Sequence, residues 1–128
     1  MPCRLIRIGG SGKEPVLIQT NARPVPYVAL SHRWSDSNVL KTTSTSQAQW
    51  ERSIPYRRLS VVFREVMLFA SKLGFQHIWI DSLCIIQDDP EDWRSEASRM
   101  STIYREASLV ISVALATDPT QGPHGWSQ

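Results

Sequence analysis

Residues 77–115 read HIWIDSLCIIQDDPEDWRSEASRMSTIYREASLVISVAL, and the fold is decided here. QHIWID at 76–81 is a short apolar run ending on an acid, as a strand does when it reaches the edge of a core. SLCIIQ at 82–87 continues apolar until DDP opens a helix. Asp89 suits the N-cap, Pro90 the first helical position, and Asp92 the third place of a box-like cap. Glu91 and Asp92 also favour the positive end of the helix dipole. Trp93, Ala97, Met100, Tyr104 and Ala107 then recur at helical spacing, which predicts an inner face on a helix running to about Glu106. SLVISVAL at 108–115 is a further buried strand. Two strands joined by a helix lie parallel with a right-handed crossover.

The same unit extends backwards. YVALS at 27–31 is aromatic, β-branched and apolar in succession, a strand buried on both faces. Leu59, Val62, Phe63, Val66, Phe69, Ala70 and Leu73 make one apolar helix stripe; Gly74 stands where a C′ glycine ends a helix, and Lys72 meets the negative end of the dipole. Residues 35–53, rich in Ser, Thr, Asn and Gln, read as a loop with one helical turn. Strand, helix, strand, helix, strand over 27–115 predicts an α/β domain with a parallel sheet and helices on its faces. CRLIRI at 3–8 and VLIQT at 16–20 flank the turn GGSGKEP as a hairpin, which would extend one edge of that sheet. Two prolines between Asn21 and Pro26 separate the hairpin from the rest. The organisation expected is an N-terminal β extension over 1–24, the domain over 25–122 and a turn-rich tail over 123–128.

Composition limits the function classes. The 128 residues fit one core, and 41% hydrophobic with 20% charged is globular. A net charge of +2, with Lys and Arg scattered, lacks the footprint of a nucleic-acid binder. No apolar run approaches the roughly 20 residues of a membrane span. MPCRLIRIGG lacks the apolar h-region of a secretory leader, and Cys3 and Cys84 form no disulfide framework. A cytoplasmic location is the expectation.

In open parallel sheets, ligands bind beyond the carboxyl ends of the strands. One such end carries Ser31-His32-Arg33-Trp34, the other Asp81-Ser82-Leu83-Cys84; if the strands are neighbours, the groups converge. Each residue has two readings. Asp81 caps a loop or binds a ligand; Ser31 and Ser82 are turn residues or ligand groups. Arg33 holds an anion through its planar fork or pairs with Asp36 or Asp81. Trp34 is core or a ligand platform, and Trp79, Trp93, Met100 and Tyr104 are expected as core. Glu96, at the edge of the buried face, is either an acid–base or cation-stabilising carboxylate or a helix ion pair with Arg99. Cys84 with His32 and Asp81 offers a nucleophile arrangement, but its apolar surroundings in LCII favour an inert buried thiol. His32, His77 and His124 show no metal-ligand spacing, so no metal site is expected. GGSGK lacks the Ser/Thr and helix of a phosphate loop, so no resident cofactor is expected either.

YVALSHRWSD at 27–36, LSVVFREVMLFASKLG at 59–74 and HIWIDSLCIIQDDPEDWRSEASRMSTIYREASLVISVALATDPTQG at 77–122 resemble the motifs of the heterokaryon incompatibility (HET) domain. The resemblance spans roughly 25–122. It implies a fungal module of programmed cell death in allorecognition, acting by self-association or contact with another incompatibility protein. HET domains are similar to Toll/interleukin-1-receptor (TIR) domains, which implies a flavodoxin-like three-layer fold. Some TIR domains cleave NAD, so the analogy also implies an NAD glycohydrolase with Glu96 as catalytic carboxylate. Ser31, Arg33, Trp34, Asp81 and Ser82 would line the pocket, with NAD as substrate. Ser35 stands where the family usually has glycine, and Arg33 where cysteine or tyrosine is usual, so a truncated, inactive member is a third expectation.

Overall fold

The computed structural model describes residues 1–9, 13–21, 23–32 and 40–113. Strands β1 (Arg4–Arg7) and β2 (Val16–Gln19) precede β3 (Val28–His32), α1 (Gln47–Arg52), a 3-10 turn at Tyr56–Arg58 and α2 (Val61–Lys72). β4 (His77–Trp79), α3 (Asp81–Cys84), α4 (Pro90–Ser98), α5 (Met100–Glu106) and β5 (Leu109–Val113) follow. The strands form one five-stranded sheet in the order β2-β1-β4-β3-β5.

The sheet is mixed rather than parallel throughout. β4, β3 and β5 are parallel, as strands joined through helices must be. The hairpin β1–β2 is antiparallel within itself and also to β4, where Ile6 pairs with Ile78 and Arg7 with His77. It occupies one edge, as the sequence suggests, but β1 is an interior strand whose Leu5 and Ile6 are fully buried. Tyr27, Val28, Ala29 and Leu30 are buried in the centre of the sheet with Ile78, Trp79 and Ile80.

Local signals set the helix ends. The Ser60 hydroxyl accepts from Phe63 N at 3.1 Å and caps α2. At its other end Gly74 N donates to Ser71 O and Phe75 N to Ala70 O, both at 3.0 Å, with Gly74 at φ +94. This paired closure needs a residue in the left-handed region, which glycine enters without steric cost. Asp89 caps α4 through Glu91 N and Asp92 N, with Pro90 as the first helical residue.

Four expectations are corrected. The helix expected over 90–106 is two helices: Arg99 leaves helical geometry (φ −105, ψ 6), and its N–H turns to Glu96 O at 3.1 Å. The strand expected over 76–81 is His77–Trp79, and Asp81 already opens a helical turn, Asp81–Cys84, whose Ser82, Leu83 and Cys84 are buried. On α2, Phe63, Val66, Met67 and Ala70 face the core, while Phe69 and Leu73 at the rim of the apolar stripe stay exposed. Finally, Trp93 is not core. It is 52% exposed, because α4 turns Asp92 and Glu96 inward instead. Trp79 is fully buried, and Met100 and Tyr104 pack partly buried against the core.

Candidate functional site at the strand tips

β3 and β4 are neighbours, with Ala29 opposite Trp79. Continuing that register sets Ser31 level with Asp81, both half-buried at the carboxyl end of the sheet. Tyr104 reaches them from α5. Its hydroxyl lies 3.5 Å from Leu30 O, and the Ser31 side chain hydrogen-bonds it. Burial first, and then the Asp81 carboxylate, push the Tyr104 phenol up, against the pull of Ser31, so the site holds a neutral phenol at physiological pH. The Trp79 ring meets Tyr104 edge-on, centroids 5.5 Å apart. Trp79 therefore forms the floor of this rim, and its Nε1 has no hydrogen-bond partner among the described residues. The same is true of the buried Ser82 hydroxyl, one residue beyond Asp81.

Glu96 belongs to the same end of the sheet. Extending the β1–β4 register sets Cys3 level with Asp81, on the side of β4 away from β3. Cys3 N donates to Glu96 Oε1 at 3.0 Å. Glu96 is fully buried, its Oε2 lacks a hydrogen bond, and Arg99 Nη1 stands 3.6 Å off as an i,i+3 ion pair. Arg99 also donates to Met1 O and lies 3.5 Å from Cys3 Sγ. Beside it, Arg4 pairs with Asp92, and its Nε donates to Cys84 O at 3.0 Å. The second acceptor role of Asp92 is toward Ile86 N at 2.9 Å. The inner face of α4 is thus a charged stripe closed by residues 1–4.

Burial pushes the Cys84 thiol up to about 12, which leaves no thiolate for nucleophilic work. Cys3 is exposed, yet burial of part of its surface and the Glu96 carboxylate push its thiol up against the pull of Arg99. Arg33 and Trp34 lie outside the described residues. Among the described residues no group of three or more His, Cys, Asp or Glu could hold a metal. Chemically, the rim offers two hydroxyls and a carboxylate to a polar ligand, while the Glu96 carboxylate stays shut off behind Met1–Cys3.

The sequence points to Glu96, but four of its neighbours at this end of the sheet, Tyr104, Asp92, Arg4 and Cys3, are not legible there as site residues. Tyr104 was counted as core, although a tyrosine in a core stripe carries a polar tip. Asp92 and Glu96 stand at i,i+4, a spacing that places both carboxylates on one helix face. Arg4 and Cys3 gave no local signal.

A family model described as Heterokaryon incompatibility protein (HET) matches residues 27–128. This chain belongs to the HET family. Searches of curated proteins and of solved structures gave no match. The HET match starts at Tyr27, after the hairpin. Even so, the two inward-facing carboxylates of its helix α4 take partners from Arg4 and Cys3, and Leu5, Ile6 and Leu17 share the core of the HET segment. In this HET protein the hairpin completes the sheet.

Proposed function

We propose that this HET-family protein is a cell-death signalling module of fungal non-self recognition that works in the cytoplasm by self-association or contact with a partner. The supporting observation is surface chemistry. Val61, Leu68, Leu73 and Trp93 are large apolar side chains left about half exposed. Scattered apolar residues are ordinary on a protein surface, but Val61 and Leu68 on α2, with Leu73 just past its end, fit a module whose output is contact. No helix among the described residues is long and apolar enough to cross a membrane. The test is inducible expression in a fungal host, with soluble protein verified. Growth arrest is expected; normal growth with abundant soluble protein contradicts the proposal.

A second reading is NAD cleavage by a TIR-like domain. The parallel order β4-β3-β5 is compatible with a flavodoxin-like arrangement, and among the described residues three buried polar atoms near the strand tips lack a hydrogen bond: Trp79 Nε1, Ser82 Oγ and Glu96 Oε2. A buried polar atom without a partner is costly, and a ligand would satisfy it. In this reading the bond between the ribose carbon and nicotinamide breaks, nicotinamide leaves with the bonding pair, and water adds to the sugar. Glu96 stabilises the positive charge developing on the sugar, and Ser31, Asp81 and Ser82 hold the nucleotide together with Arg33 and Trp34, the residues that follow β3 in the sequence. Residues 1–3 must first move off Glu96. Nicotinamide release that disappears in Glu96→Gln supports this reading, and no release from assembled wild type removes it.

A further inference from the structure

The outward side of α2 has a pattern that a core helix does not require. At about 100° per residue, Val61, Arg64, Glu65 and Leu68 stand opposite the buried residues Phe63, Val66, Met67 and Ala70. Val61 and Leu68 are each 50% exposed. Neighbouring residues on a helix do not face each other, so Arg64 and Glu65 cannot neutralise one another within the chain. Neither makes an ion pair among the described residues, and the Nε of Arg64 is buried without a hydrogen-bond partner. Tyr56 closes one side, its hydroxyl 3.4 Å from Arg64 O. Together these side chains line a shallow recess of about 220 Å³.

We propose that this face binds the same face of a second copy, as two antiparallel α2 helices about a two-fold axis between Arg64 and Glu65. In that register Val61 of one copy stands opposite Leu68 of the other, and Arg64 stands opposite Glu65. The two-fold makes every contact twice, as an isologous interface requires. Leu68 of each copy enters the recess beside Val61 and Tyr56 of the other, and the Arg64 guanidinium gains the Glu65 carboxylate of the other copy as an ion-pair partner. Parallel pairing in register would instead set like charge against like. The order apolar, basic, acidic, apolar reads as its own complement, and this is what singles out a second copy over an unrelated protein. The proposal rests on the self-association reading and names its surface. One helix face buries less than a standard interface, so the dimer is weak and reversible.

Charge reversal tests it by sedimentation equilibrium. Wild type should show a monomer–dimer equilibrium. Arg64→Glu and Glu65→Arg should each raise the dimer Kd by about tenfold or more, because each sets two like-charge pairs in the interface. An equimolar mixture of the two variants should recover association, since the mixed dimer contains only opposite pairs; that recovery also shows that both variants fold. Leu68→Ser should weaken association as well. A wild type that stays monomeric to about 1 mM, where specific binding becomes negligible, overturns this proposal and self-association with it. A dimer indifferent to both reversals overturns only the α2 surface, and loss without recovery in the mixture overturns the two-fold register.

Discussion

Cys3 and Glu96 are joined across the molecule: the backbone N–H of one lies 3.0 Å from a carboxylate oxygen of the other, 93 positions along the chain. A fully buried carboxylate of the HET segment is therefore covered by a residue that precedes the segment. The contact couples the N-terminal strand to helix α4 and makes Cys3 a reporter of the Glu96 charge.

That coupling is measurable as thiol reactivity. The Glu96 carboxylate is among the causes that hold the Cys3 thiol up, and Arg99 opposes it. Glu96→Gln should shift the pH profile of Cys3 alkylation downwards, and Arg99→Ala should shift it upwards. Unchanged profiles in both variants would dissociate Cys3 from the pair. Cys84 should stay unreactive until the protein unfolds.

The Arg4–Asp92 pair should be a stability determinant. Both side chains are largely shielded, at 7% and 17% exposure. Removing one partner of a buried pair leaves an uncompensated charge, so Arg4→Ala should cost about 3 kcal/mol in urea unfolding. The double variant Arg4→Met with Asp92→Leu should cost less than the sum of its single changes. A loss below about 1 kcal/mol for Arg4→Ala would mean that the hairpin is an appendage.

Tryptophan substitutions separate α4 as read from its sequence from α4 as folded. Trp79→Ala should cost about 3–5 kcal/mol, as a deleted core aromatic does. Trp93→Ser should change unfolding free energy by about 0.5 kcal/mol or less, as at an exposed position. Equal costs at the two positions would restore Trp93 to the core.

Most of the α/β framework was legible in the sequence. The apolar runs of β3, β4 and β5, the cap at Asp89 and the glycine closing α2 are local signals, and local signals survive folding. The inner face of α4 was not legible. Hydrophobic periodicity chose Trp93, whereas partners 88 and 93 positions away, Arg4 for Asp92 and Cys3 for Glu96, draw the polar side inward. The mixed sheet escaped for a related reason, since alternation within β1 says nothing about which strand lies beside it. At the candidate site, Ser31 and Asp81 could be placed from strand ends alone. The Tyr104 hydroxyl between them depended on the helix breaking at Arg99.

Alkaline pH should destabilise the fold in a defined order. Burial raises the folded Cys84 thiol from 9.0 to about 12 and the Tyr27 phenol from 10.0 to about 12. The folded chain keeps protons that the unfolded chain gives up. This stabilisation is complete below pH 9 and is lost as pH climbs from about 9 towards about 12. Cys84→Ala should flatten the decline between about pH 9 and 10, before tyrosines ionise in the unfolded chain. An unaltered slope would mean that the Cys84 thiol is not withheld from solvent.

In the proposed function, assembly of this HET module is the signal. The direct measurement is growth of a fungal host expressing the chain at low level, fused to a domain that dimerises on addition of a small molecule. Growth arrest on adding the molecule, and none without it, is the expected result. Continued growth with the fusion soluble and shown to be dimeric would contradict the claim.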